Sequence, residues 1–246
     1  MEWRDVKEWG VEGRAFGDME RSRWFDRFPA EAEGKVTPQV WELSGETTGM
    51  IVRFKTDAPA IWADYTLRKS QLAGANMTAI GASGLDLYVR DEKGTWRWAG
   101  DTRPAAKTVR QPLIEGMTRS MREYMIYLPL RNGIEDLKLG LPSEAKFEAV
   151  APRKDKPIVF YGTSITHGAS ASRPGMTHTA ILGRRLLIRG RTFEIVGVMP
   201  EGFRGLTVAP DDYWAPLSML RHVRPTDQVA GNNDANVAVD IIGRLR

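Results

Sequence analysis

Cysteine is absent from all 246 residues, and histidine occurs three times, at His167, His178 and His222. This excludes disulfides, thiolate catalysis and cysteine-ligated zinc. Three scattered histidines have no compact ligand spacing of the HExxH kind, so neither a metal nor another cofactor is expected. No run approaches about 18 uninterrupted apolar residues, so no membrane span is expected. The first residues, MEWRDVKEWGVEGR, are charged from the outset and do not read as a signal peptide. A soluble chain is expected, with its compartment left open. The formal net charge of +4 is diffuse; without a Lys/Arg stripe, nucleic acid is not an expected partner. What is present is a hydrophobic fraction of 42% and a charged fraction of 27%, ordinary for a globular protein with real cores. The length suits one large or two modest domains.

Residues 1 to about 35 mix charges with Gly, Trp and Phe. Trp3, Trp9, Trp24, Phe25 and Phe28 are read as anchors packing an irregular segment onto something larger, the alternative being a carbohydrate-stacking face. From Gln39 to about Val150 the signal is β. VWELS, GMIVRFKT, IWADYTLRKS, LDLYVRD, TWRWAG, EYMIYLPL and EDLKLGLP alternate or are rich in β-branched and aromatic residues. Turn-prone SGE, DAP, GASG, DEKG and RNG separate them. Seven or so short strands predict an antiparallel β-sandwich, jelly-roll-like, over residues 1–150. Trp96 and Trp98 share a strand face; solvent-facing beside a groove they favour glycan binding, and buried they are core. APRKDKP, 151–157, reads as the connector.

The stretch with the most chemistry in it is PIVFYGTSITHG, 157–168. Ile158 to Tyr161 reads as a buried strand bounded by Pro157 and Gly162. A compact turn carrying Ser164 follows, and after Pro174-Gly175 comes a helix-like run, MTHTAILGRRLL. A hydroxyl at the tip of a strand-fed turn can be exposed above a sheet edge and serve as a nucleophile; as a bland alternative it is a turn serine. Gly162 and Gly168 permit the turn and close backbone approach. His167 and His178 hydrogen-bond or shape a pocket wall. Arg173 holds the loop or meets an acidic group of the substrate.

The segment from Ile158 to Leu186, with YGTSITHG followed by ASRPGMTH, resembles the first sequence block of the SGNH or GDSL-type esterases. The resemblance implies a β-sandwich ahead of an α/β hydrolase segment, Ser164 as the acyl-accepting nucleophile, and its backbone amide in the oxyanion hole. It further implies later blocks supplying an oxyanion glycine, a GxND-like asparagine and a DxxH pair. Residues 188–246 do not continue that way. RTFEIVGVMP and VAVDIIGRL read as strands, not as the βαβ repetition of a parallel sheet. The tail resembles the extracytoplasmic core domain of macrolide-exporter-type ABC-transporter permeases, through GRTFEIVGVMPEGFRG, DDYWAPL and IIGRL. That abutment suggests a chimera, as from misassembled metagenomic DNA. The hydrolase part, 151–187, is therefore expected to be incomplete or atypical at its C-terminal side.

A serine hydroxyl needs a base, a carboxylate to orient that base, and donors for the tetrahedral intermediate. By default the candidates are His222 and Asp212, with Asn233 of GNND as an oxyanion donor; the alternative is a polar loop. The function expected is ester hydrolysis on short acyl or acetyl groups, including those of carbohydrates, through an acyl-enzyme on Ser164. Its partners are then small-molecule or carbohydrate esters. The alternative is a non-catalytic glycan- or protein-binding sandwich with an inactive hydrolase remnant; a weaker one, from the tail, is a transporter-derived interaction fragment. An unmatched sheet edge makes a homo-oligomer a further expectation.

Overall fold

A computed structural model describes residues 1–14, 16–17, 19–153, 160, 162–185, 187–188 and 191–192. In chain order the strands of the first 150 residues are β1 (Glu2–Asp5), β2 (Ile51–Thr56), β3 (Ile61–Leu67), β4 (Asp86–Arg90), β5 (Trp96–Asp101), β6 (Thr108–Ile114), β7 (Arg122–Tyr127), β8 (Ile134–Leu141) and β9 (Phe147–Ala149). They form two sheets, ordered β1-β8-β3-β6 and β5-β4-β7-β2-β9. Every pairing in them is antiparallel. The chain passes back and forth between the sheets, giving the strand order of an eight-stranded jelly roll with β9 added at one edge.

Period-two patterning makes the shared core. β3 buries Ile61, Ala63, Tyr65 and Leu67 and leaves the residues between them half-buried. Opposite them, Val52 and Phe54 of β2, Leu87 of β4 and Tyr124 and Ile126 of β7 belong to the same cluster. Fully burying one such side chain is worth about 1.5–3 kcal/mol. The five-stranded sheet is also covered on its second face, where Ile51, Tyr88, Met125 and Tyr127 pack with Ala180. After the helices α1 (Pro38–Ser44) and α2 (Ala79–Ser83), that residue lies on α3 (His178–Arg185), the helix following the serine turn. The sandwich thus offers one face to its own core and the other to the serine segment.

The aromatic anchors near the N-terminus pack as the packing alternative requires. Phe25 is buried in the core, Trp9 and Trp24 lie against it, and Trp9 donates from Nε1 to the Arg53 carbonyl (3.0 Å). Three elements depart from the sequence reading. VWELS is helical, within the helix Pro38–Ser44, because Thr37 caps the Val40 amide and Pro38 occupies the first turn. Residues 108–114 form an additional strand, β6, whose Pro112 is tolerated at the edge of its sheet. The segment read as irregular begins with β1, paired to β8 from Glu2 to Asp5.

Beyond α3, Leu187–Ile188 and Arg191–Thr192 make a short antiparallel hairpin, so the helical run ends at Arg185. The expected strand 158–161 lies outside the described residues except for Phe160, which is buried. The strands expected in the tail lie outside them too, apart from Arg191–Thr192 at the start of the first. Among the described residues no helix is long and apolar enough to cross a membrane.

Candidate active site

Ser164 stands exposed on a tight turn. The turn is closed by its own backbone: His167 N–H donates to the Thr163 carbonyl (3.1 Å), Gly168 N–H to Ile165 (3.0 Å) and Ala169 N–H to Ser164 (2.8 Å). Gly168 has φ +101°, and a Cβ there would also strike Thr177 and Leu130; no other residue suits the position. Gly162 sits against the Thr166 side chain. With Ala169, Ser164 borders a cavity of about 340 Å³ whose other walls come from the sandwich, among them Glu46, Lys69, Asn76 and Arg131. Ser164 makes no side-chain hydrogen bond among the described residues.

Two buried carboxylates of the sandwich hold the segment that carries Ser164. Glu46 is 2% exposed and has Lys69 Nζ at 2.7 Å and His167 Nε2 at 2.7 Å. The same Nε2 lies 3.0 Å from the Leu130 carbonyl. A carbonyl can only accept, so Nε2 carries the proton, and its direction favours Leu130 over the Glu46 oxygen, which makes no hydrogen bond of its own. Burial disfavours the Glu46 charge, but the adjacent His167 imidazole and the Lys69 ammonium, each 2.7 Å away, outweigh it and hold the carboxyl below its usual range. Burial also holds His167 below its usual range, so it is a neutral imidazole at pH 7.

Asp86 is the second anchor and is fully buried. Its Oδ2 accepts from Gly175 N–H at 2.8 Å, with Arg173 Nε at 3.4 Å, and its Oδ1 accepts from Trp98 Nε1 at 3.0 Å. The Tyr88 ring closes over Gly175, where a Cβ would lie 2.4 Å from Tyr88 Cε2 and 2.8 Å from Asp86 Oδ2; glycine is required for the approach. Arg184 of α3 donates to the Gly175 carbonyl (2.7 Å) and lies over the Tyr88 ring at 4.0 Å. Desolvation pushes the Asp86 carboxyl up to about 6 despite these donors.

Of the residues singled out in the sequence, the structure places Ser164 and His167 in one turn, and Gly162 immediately before it. Arg173 is not in the Ser164 cavity; its guanidinium lies over the Trp98 ring at 4.8 Å, beside Asp86. His178, exposed at the start of α3, meets Phe160 edge-on with ring centroids 6.2 Å apart. Asp212, His222 and Asn233 lie outside the described residues. Sequence reasoning missed Glu46, Lys69, Arg131 and Asp86. Only Asp86 left a signal, as a carboxylate inside an apolar strand run where aspartate is disfavoured. Among the described residues no group of three His, Asp or Glu side chains could hold a metal ion.

Comparison with known families gives two consecutive matches. Residues 1–147 match the GxDLY family, the N-terminus of Esterase_SGNH_hydro-type. Residues 155–189 match the GDSL-like Lipase/Acylhydrolase family. Neither reaches beyond residue 189, and the comparisons give no support to the transporter resemblance of 188–246 or to a chimera. No curated protein sequence matches the chain. Among solved structures, one described as a GDSL-like lipase from Bacteroides ovatus superposes with TM-score 0.69 at 30% identity, over 80% of this chain and 56% of that one. The salicylyl-acyltransferase SsfX3 from a tetracycline biosynthetic pathway shares the fold, with TM-score 0.54 at 18% identity over 78% of this chain and 52% of its own. The chain thus spans little more than half the length of these structures. Gly84 to Tyr88, GLDLY, reproduces the pattern in the first family's name and contains the anchoring Asp86. With that family covering more than half of its length, the chain belongs to the SGNH-hydrolase-type esterases, through their GxDLY N-terminal domain.

Proposed function

We propose that the chain is a serine ester hydrolase that cleaves short acyl or acetyl esters, including those of carbohydrates, through Ser164. The observation that carries this reading is an exposed, unengaged serine hydroxyl on a tight turn, facing a cavity, within the segment that matches the GDSL-like acylhydrolases. In this reading Ser164 Oγ attacks the ester carbonyl and its proton passes to a base. The tetrahedral intermediate expels the alcohol, which takes up that proton, and leaves an acyl-enzyme. Water then attacks the acyl carbon, releasing the acid and restoring the serine. His167 does not suit the base, because its Nε2 proton is committed to the sandwich at Leu130. His222 oriented by Asp212 is the base in this proposal, and Asn233 joins the Ser164 and Gly162 amides as oxyanion donors. A sandwich over 1–150, a hydrolase segment over 151–187 and a distinct tail over 188–246 are the corresponding division of labour.

A second reading, a glycan-binding sandwich, rests on Trp98. Its ring is 50% exposed beside a groove of about 440 Å³ that Arg103 and Gln111 also line. One ring face is already taken by Arg173, which leaves less surface for a sugar to stack on. Treatment with a fluorophosphonate followed by peptide mass spectrometry separates the readings. Adduct on the Ser164 peptide supports the hydrolase. No adduct, together with binding of xylan or cello-oligosaccharide that Trp98→Ala abolishes, supports the module.

A further inference from the structure

Among the described residues, one cation of the Ser164 cavity has unspent bonding capacity. Lys69 is engaged, with Nζ 2.7 Å from Glu46 and 3.6 Å from Glu42. Glu46 is itself crowded by Lys69 and His167. Arg131 is different. Its side chain is 38% exposed, its one charge contact is Nε to Glu46 Oε2 at 3.7 Å, beyond hydrogen-bond reach, and its guanidinium makes no hydrogen bond among the described residues. Only its backbone is tied down, N–H donating to the Ala82 carbonyl at 2.9 Å. The residue before it, Leu130, accepts the His167 bond that fixes the serine turn. Arg131 is therefore anchored by its main chain to the wall that holds Ser164, with a free planar fork of donors at the same cavity.

Charge bookkeeping around this wall points the same way. One carboxylate of the cavity, Glu46, faces two cavity cations, Lys69 and Arg131. The half-buried Arg27 adds a third positive charge behind it, donating to the Glu46 and Leu43 carbonyls. Lys69 has a second acid in Glu42, whereas Arg131 has none among the described residues. The surplus positive charge of the cavity thus sits on Arg131. A guanidinium matches a carboxylate with two parallel N–H···O bonds, a geometry that a neutral acyl chain cannot use. Beside it, the Gln71 and Asn76 side chains line the cavity and offer polar groups to the rest of a small ligand.

From this we infer that Arg131 is a specificity-determining residue, selecting esters that bear a carboxylate close to the scissile bond over neutral esters of the same size. The inference rests on the reading of Ser164 as nucleophile and adds its substrate class. It assigns to the GxDLY domain, rather than to the serine segment, the choice of substrate.

Two pairs of esters test it in the full chain. p-Nitrophenyl acetate against the mono-p-nitrophenyl ester of glutaric acid places the carboxylate on the acyl side. Methyl 4-acetoxybenzoate against 4-acetoxybenzoate places it on the alcohol side. The expected result is at least a tenfold higher kcat/KM for the anionic member of one pair, carried by KM and narrowing as salt rises. Arg131→Gln then lowers kcat/KM for that anionic ester at least tenfold more than for its neutral partner, and Arg131→Lys falls between, as loss of the bidentate fork requires. Lys107→Gln, just before the edge strand β6 and outside the cavity lining, changes neither ratio. Equal kcat/KM within both pairs in the wild type, or an equal loss for both members in Arg131→Gln, overturns the inference. Absence of any hydrolysis strikes the nucleophile reading instead. In that case the anion site is decided by titrating 4-acetoxybenzoate calorimetrically into wild type and Arg131→Gln: binding lost in the variant supports it, and equal or absent binding overturns it.

Discussion

The two carboxylates that hold the serine segment solve the same problem under opposite electrostatics. Glu46 is buried among cations, and its charge is held below the usual carboxyl range by His167 and Lys69. Asp86 is buried as deeply but is met by two neutral donors, with Arg173 at 3.4 Å and Arg184 as the nearby cations, so desolvation wins and its carboxyl titrates at about 6. A hydrogen-bonded carboxylate is thus not automatically an acidic one: how closely the partners approach, set against the cost of burial, decides the sign. The cation-rich anchor lies at the Ser164 cavity, and the cation-poor anchor holds the loop behind it.

Breaking the anchors tests this contrast. Glu46→Ala is expected to have the largest effect, about 3–5 kcal/mol, because it leaves the half-buried Arg27 without its carboxylate and Lys69 with only Glu42 at 3.6 Å. Urea unfolding at pH 7 measures it, and hydrogen exchange over 162–176 shows the turn opening first. Asp86→Asn is expected to cost less, about 1 kcal/mol at pH 8, since removing a costly buried charge and keeping an acceptor for Gly175 N–H offset the lost acceptor for Trp98 Nε1–H.

The pH dependence sharpens the comparison. The folded-state Asp86 carboxyl, at about 6, lies above its ordinary value of 3.8. Its contribution to stability is therefore complete below pH 3.8 and is lost as pH rises through 6, an amount of about 3 kcal/mol. The stability difference between wild type and Asp86→Asn should grow by that much from pH 8 to pH 3.8. Glu46 runs the other way: its folded-state value is depressed from 4.5, so its contribution is complete above pH 4.5 and is lost on acidification below it. The two anchors are jointly firmest between about pH 4.5 and 6. A wild-type minus Asp86→Asn difference that is flat with pH would show that neighbouring donors, not desolvation, set the Asp86 charge. The smallest effect is expected at the exposed tie between Asn76 Nδ2 and Ser170 Oγ (2.9 Å), where Asn76→Ala should cost no more than about 0.5 kcal/mol in the same urea titration.

Much of this architecture was legible in the sequence for physical reasons. The runs around Val52, Tyr65, Leu87 and Ile126 alternate with period two, and the structure buries those residues between the sheets. The serine turn was legible because Gly162, Gly168 and Pro174-Gly175 punctuate it. What failed was local propensity read without caps: Val40 and Trp41 suggest a strand, but Thr37 and Pro38 start a helix there. β6 was hidden by Gln111 and Pro112, which an edge position accommodates. The anchors were hidden for a different reason. Glu46 in a turn and Arg131 after a strand carry no pattern of their own, and they acquire a role only because the jelly roll brings residues 46, 69 and 131 to one cavity wall. Asp86 was visible as an anomaly in its strand, though nothing in the sequence said what it faced.

The central claim is that the GxDLY domain and the following segment together present Ser164 as a nucleophile. The most direct test is release of p-nitrophenol from its acetate ester by the purified chain, compared with Ser164→Ala. A rate well above background is expected in the wild type, with loss of that excess in the variant. Equal rates in the two proteins would contradict the claim.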